Sequence, residues 1–171
     1  MKRDLDTVSG VIDSDSLCSP RRIIEPMWDL FGDKPDCDPC SNEHSIVQAK
    51  VAYTFGGLHR PWGAKTYENH PYSKNEPWIA KALQEMKVGR VRELLILCMT
   101  ATSTAWWSSA MLDAKRNPRV ICTSRIRFLG PSGKPLKFTA RFDTSLIYYG
   151  PKVAKFERLY RDITRWTAWG R

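Results

Sequence analysis

The feature that most constrains this chain is the run Glu93-Leu94-Leu95-Ile96-Leu97-Cys98-Met99, apolar at every position after the first. Such a stretch cannot keep one face in water, and it suits a strand covered on both faces by helices. The sequence supplies candidates for that cover. Ser19-Pro20 places a capping residue and a proline at a helix start, followed by Ile23, Ile24, Met27, Trp28, Leu30 and Phe31 at helical spacing and a stop at Gly32. Over residues 77–87, Trp78, Ile79, Ala82, Leu83 and Met86 share one face, and Gly89 ends the segment. Further strands are expected at 65–68, 120–122, 125–129 and 145–149, with a late helix over 153–160. Residues 45–50 read as a helical turn or two, and 36–39 as an acidic turn after a brief strand. Alternating strands and helices predict an α/β sheet, with ligands at the carboxyl ends of its strands, where the turns at Asp38 and Asn69 fall.

A length of 171 residues fits one domain. We expect a flexible arm over residues 1–16 and a single domain over 17–171. Hydrophobic residues at 42% exclude global disorder. Lys and Arg number 27 against 18 Asp and Glu, a formal charge of +9, which favours a polyanionic partner and points to nucleic acid. No apolar run approaches the roughly 18 residues of a membrane span or the roughly 7 to 15 of a signal core. Five cysteines scattered at 18, 37, 40, 98 and 122 do not make a disulfide framework. They read as reduced thiols, and a cytoplasmic location is expected.

The most informative stretch is Asn69-His70-Pro71-Tyr72-Ser73. The exocyclic N6 of adenine is a poor nucleophile because its lone pair is delocalised into the ring. Two acceptors, the Asn69 side-chain oxygen and the His70 carbonyl, can take its two hydrogens and stabilise the positive charge that develops as N6 attacks a methyl group. Pro71 biases His70 toward extended backbone, and the Tyr72 ring is expected to stack on a base flipped out of the duplex.

These residues resemble the active-site signature of the phage and prophage DNA N6-adenine methyltransferases, Asn-Pro-Pro-Tyr-Ser or Asp-Pro-Pro-Tyr. The resemblance extends over residues 17–160 through Cys18-Ser19-Pro20, Leu30-Phe31-Gly32, Asp38-Pro39-Cys40-Ser41-Asn42, Gly57-Leu58, Pro61-Trp62-Gly63, Trp78-Ile79-Ala80-Lys81-Ala82, Trp106-Trp107, Arg125-Ile126-Arg127-Phe128 and Tyr148-Tyr149-Gly150. It implies a Rossmann-like S-adenosylmethionine-dependent methyltransferase fold, a mixed and mostly parallel sheet flanked by helices. It also implies catalytic roles for Asn69, His70, Pro71 and Tyr72, and a phage-encoded enzyme acting in a host cytoplasm. Asp38, Pro39 and the Ser19-Pro20 helix start, with Asn69, are implied to hold S-adenosylmethionine. Two positions depart from the pattern. His70 stands where the family has proline, a loss of about 0.4 to 1 kcal/mol in preorganisation that predicts a slower enzyme. Gly56 stands where relatives carry an Asp suited to the cofactor's adenine amine, and Asp36 is the candidate replacement.

DNA contacts are expected from Ser73 and from Arg125, Arg127, Lys134, Lys137 and Arg141 around the loop Gly130-Pro131-Ser132-Gly133-Lys134-Pro135. Cys37-Asp38-Pro39-Cys40 with His44 has the spacing of a zinc half-site that Cys18 or His59 would complete, but a second tight pair is missing and no metal is assigned. His70 has a second reading as a general base, against a tolerated substitution in the turn. Of Trp106 and Trp107, adjacent on a helix, at least one is expected in the core. The alternatives to a DNA methyltransferase are a catalytically silent DNA-binding protein of the same fold and a methyltransferase for an amine of RNA or protein. The target sequence and oligomeric state are not legible.

Overall fold

The computed structural model describes residue 15 and residues 17–111, 117–130 and 132–169. The arm expected over 1–16 lies outside the described residues apart from Asp15. Seven strands form one sheet: β1 (Cys37–Asp38), β2 (Val51–Ala52), β3 (Lys65–Glu68), β4 (Glu93–Met99), β5 (Arg119–Thr123), β6 (Thr144–Tyr149) and β7 (Thr164–Trp169), in the order β2-β1-β3-β4-β6-β5-β7. The helices are α1 (Arg21–Phe31), α2 (Asn75–Lys87), α3 (Ala105–Met111) and α4 (Val153–Leu159).

The α/β class holds, but the expectation of a mostly parallel sheet does not. The pairings β1·β2, β1·β3 and β3·β4 are parallel, whereas β4·β6, β5·β6 and β5·β7 are antiparallel. The antiparallel half arises because β6 inserts between β4 and β5 and runs against both. Hydrophobic periodicity reports burial and carries no information about strand direction.

The apolar run is β4, buried on both sides. Leu95 and Leu97 join the core beneath α1 and α4, with Ile23, Ile24, Met27, Leu30, Phe31 and Phe156. Leu94, Ile96 and Cys98 face the opposite core, with Trp78, Ile79 and Ala82 of α2 and Trp107 and Ala110 of α3. This alternation is the period of two expected of a strand. Trp107 is buried and Trp106 only partly so, as adjacency on a helix requires.

Three further expectations are corrected. Residues 45–50 are not helical; Trp28 Nε1 reaches across to the Val47 carbonyl and the segment runs as a loop into β2. Residues 125–129 form no strand of the sheet. They are one arm of an excursion closed by Ala140 N–H to Ile126 O, Leu136 N–H to Phe128 O and Gly130 N–H to Lys134 O, which touches the rest of the chain through an isolated bridge from Leu129 to Cys18. Ser19 does not cap α1. Pro20 occupies the cap position without a side-chain bond, and the Ser19 hydroxyl is buried 2.6 Å from that of Tyr67.

Chain order places the site. From β1 the chain goes outward to β2 at one edge and returns on the other side of β1 to form β3. The strand order therefore reverses between β1 and β3, and the carboxyl ends of these two parallel strands open the crevice in which α/β sheets hold ligands.

Candidate active site

β1 ends at Asp38 and β3 at Glu68, so the two turns that follow lie side by side. Between them runs a narrow cleft of about 20 Å³, lined by Leu17, Cys18, Ser19, Asp38, Cys40, Asn42, Ser45, Val47, Tyr67 and Asn69. Three of the sequence-predicted cofactor residues, Ser19, Asp38 and Asn69, thus share one wall system although they come from three separate segments.

Asp38 is buried beneath the cleft. Its carboxylate accepts from the Cys40 N–H and from the Ser45 hydroxyl, each at 3.3 Å. Burial nevertheless pushes the Asp38 carboxyl up to about 6; the bonds from Ser41, Cys40 and Ser45 oppose the shift, and the Glu68 charge adds to it. Pro20 and Pro39 are buried beside the cleft residues without lining it. Gly57 explains the fixed position of Pro39, because a Cβ there would overlap the Pro39 carbonyl.

Asp36 is not in the cleft. Its carboxylate is taken by Lys50 Nζ at 2.9 Å and by the Lys65 backbone N–H at 3.0 Å, which ties the loop before β1 to the start of β3. Gly56, the second departure from the family pattern, has φ +71 at the start of a short 3-10 turn, a conformation glycine adopts without strain.

The carboxamide of Asn69 is anchored at both ends. Nδ2 donates to the Leu17 carbonyl at 3.0 Å, and Oδ1 accepts from the Tyr72 hydroxyl at 3.0 Å. A carbonyl only accepts, so the amide orientation is settled by Leu17. Among the described residues no hydrogen bond ends on the His70 carbonyl. Both acceptors required for an amine therefore retain capacity, since an amide oxygen has two lone pairs and Tyr72 uses one.

Tyr72 is placed differently from a free stacking platform. Its ring is buried edge-on against Phe128 and Phe142, at 6.1 and 5.1 Å, and its hydroxyl is directed to Asn69 Oδ1. Pro71, at φ −54, opens a 3-10 turn (Tyr72–Lys74) that leads into α2. Ser73 is exposed at the rim, where its N–H and hydroxyl both donate to Asp15.

His70 is the residue whose setting sequence reasoning missed. It is buried, with Nδ1 2.9 Å from Glu68 Oε1 and Nε2 2.9 Å from Asn75 Oδ1. The Asn75 Nδ2 donates to the Tyr72 carbonyl, and the imidazole stacks on Trp78 at 6.4 Å and 8°. Trp78 in turn stacks on Trp62. A Glu two residues before a His, with an Asn five after it, was the available signal.

Phe128 and Phe142, which hold the Tyr72 ring, belong to the excursion over residues 125–143, so its basic residues stand beside the motif. Arg125, Arg127, Lys134, Lys137 and Arg141 are all exposed, and the alternation with buried Ile126 and Phe128 turns both arginines outward. Arg22 of α1 joins them: it donates to the Arg125 carbonyl at 3.0 Å, and burial together with the charge of Arg127 lowers its pKa. It escaped the sequence reading because it lies 103 positions from Arg125. The Cys37, Cys40 and His44 trio is not assembled as a metal site. Cys37 is buried in a core cluster, Cys40 lies against the Asn69 turn, and His44 faces Glu43. Among the described residues no three His, Cys, Asp or Glu side chains are grouped to hold a metal ion.

A family model described as DNA N-6-adenine-methyltransferase (Dam) matches residues 9–155. The chain belongs to the Dam family. Membership covers the cleft, the Asn69 turn and all but the end of the basic excursion's return path through β6 and α4. A search of curated proteins found no match. No described helix is long and apolar enough to cross a membrane.

Proposed function

We propose that this protein is an S-adenosylmethionine-dependent DNA adenine-N6 methyltransferase that receives a flipped adenine at the Asn69 turn. The observation that carries the reading is the Asn69 carboxamide, fixed by Leu17 and Tyr72 with one oxygen lone pair to spare, next to an unengaged His70 carbonyl. These two oxygens accept the two N6 hydrogens and favour the amine as it gains positive charge. The extra proton leaves N6 for water once the new C–N bond has formed.

S-adenosylmethionine supplies an electrophilic methyl group on a positively charged sulfur. The polar lining of Ser19, Asp38, Asn42, Ser45 and Tyr67 fits its amino-acid and ribose portions, and an ionised Asp38 suits its positive charge. A cleft of about 20 Å³ admits little more than one water, so binding widens it. Exposed Arg125, Arg127, Lys134 and Lys137 support the reading by offering phosphate contacts beside the motif. We further propose relaxed specificity for a very short site, and a role for a phage-encoded enzyme in protecting DNA from host restriction.

The test is incubation with labelled S-adenosylmethionine and unmethylated DNA. N6-methyladenine is expected from the native protein and a loss of at least about 100-fold in Asn69→Ala, comparable to removing one oxyanion donor. Label incorporated equally by the variant would count against the site, and label found only in RNA or protein would redirect the acceptor.

A further inference from the structure

Glu68 is fully buried, and its Oε2 has no hydrogen-bond partner. A buried carboxylate with an idle oxygen weakens a fold, so its presence calls for a compensating use. Its other oxygen grips His70, whose ring stands at the position where the family pattern has proline.

The proton arrangement follows from the geometry. Asn75 Nδ2 faces a carbonyl, so its Oδ1 faces the imidazole and Nε2 must carry a hydrogen. At Nδ1 an ionised Glu68 and a neutral ring would set lone pair against lone pair. The pair therefore holds one proton between Glu68 and His70 and is neutral as a unit. Burial raises the Glu68 carboxyl above its ordinary range, and the His70 ring opposes the rise.

The three residues span the whole turn: Glu68 ends β3, His70 is in the turn, and Asn75 begins α2. We propose that Glu68, His70 and Asn75 are positioning residues that clamp the turn by its side chains where relatives use a proline ring, and so aim the His70 carbonyl at the target amine. This rests on the methyltransferase reading for the meaning of the aim, but the clamp itself does not.

The test compares wild type with Glu68→Ala, Glu68→Gln and His70→Pro, reading methyl transfer to adenine DNA over a range of S-adenosylmethionine concentrations up to saturation and, separately, amide hydrogen exchange over residues 69–75. Glu68→Ala is expected to lower kcat at least about tenfold with KM for the cofactor changed less than about twofold, since misplaced geometry acts on the reacting step. Glu68→Gln recovers most of that loss, because its amide can donate to Nδ1 while Nε2 still donates to Asn75. His70→Pro, although it restores the family pattern, also slows transfer, because it strands Glu68 in the core. Exchange over 69–75 rises in Glu68→Ala and falls back in Glu68→Gln. If His70→Pro alone matches wild type, or if exchange in Glu68→Ala is unchanged, the clamp is wrong. Wild type that transfers no methyl group would overturn the proposed function, and the exchange data would still decide the clamp.

Discussion

The Tyr72 hydroxyl donates to Asn69 Oδ1 at 3.0 Å, while the Tyr72 ring is held edge-on by Phe142. The motif's tyrosine is thereby an orienting group for the motif's asparagine. Removing the hydroxyl in Tyr72→Phe leaves the ring packing intact and frees one end of the carboxamide. We expect a loss of about 1 kcal/mol of stability, the usual net value of one hydrogen bond, and a fall in kcat of about fivefold. Denaturant titration and steady-state methylation measure the two; an unaltered kcat would remove Tyr72 from the orienting role.

Asp38, proposed to face the cofactor, is buried at a cost to stability. Its folded pKa of about 6 lies above its ordinary 3.8, so the folded chain binds more protons than the unfolded one between those values. Stability therefore declines as pH rises from about 4 to about 6, by up to roughly 3 kcal/mol. Asp38→Asn is expected to stabilise the protein at pH 7 by about 1 to 2 kcal/mol and to lose S-adenosylmethionine binding in calorimetry. Unchanged affinity would place the cofactor elsewhere.

Glu85 behaves in the opposite sense. Its buried carboxylate binds Arg90 through two guanidinium nitrogens, Lys81 Nζ and the Trp62 backbone N–H, which hold its pKa down to about 2. The stabilisation is complete above about pH 4.5 and is lost as pH falls toward 2. Because Trp62 stacks on Trp78, which backs His70, this anchor supports the site from below. Arg90→Ala should lower the denaturation midpoint at pH 7, and much less at pH 2, where the Glu85 charge is being lost. Equal effects at both pH values would contradict the assignment.

On the basic excursion, Arg127→Ala should weaken DNA binding evenly across sequences and reduce the log–log salt slope by about 1. Arg125 lies 3.8 Å from Asp143, so its substitution is expected to have a smaller effect. A slope unchanged by Arg127→Ala would move the phosphate track to another face.

What the sequence determined by itself was local. Its hydrophobic runs located β3, β4, β6, α1, α2 and α4 closely, because burial on one or both faces is written in the period of apolar residues. Its turn motif named Asn69 as a candidate acceptor and the family resemblance named Asp38 for the cofactor, and the fold brings both residues to one cleft. It missed β2, two exposed residues too short to show a period, and β7, whose residues do not alternate between apolar and polar as a half-buried strand would, and it read residues 125–129 as a strand from composition alone. Only the tertiary structure decided that β6 runs against its neighbours, that Asp36 holds Lys65 while Asp38 meets the cleft, and that Arg22 stands beside Arg127. The fate of His70 was decided there too: in the sequence it reads as a lost proline, and in the fold Glu68 and Asn75 converge on its ring. The pairings of Asp36 with Lys65 and of Arg22 with Arg125 join segments through space, and neither periodicity nor spacing along the chain encodes which groups the packing of a sheet will bring face to face.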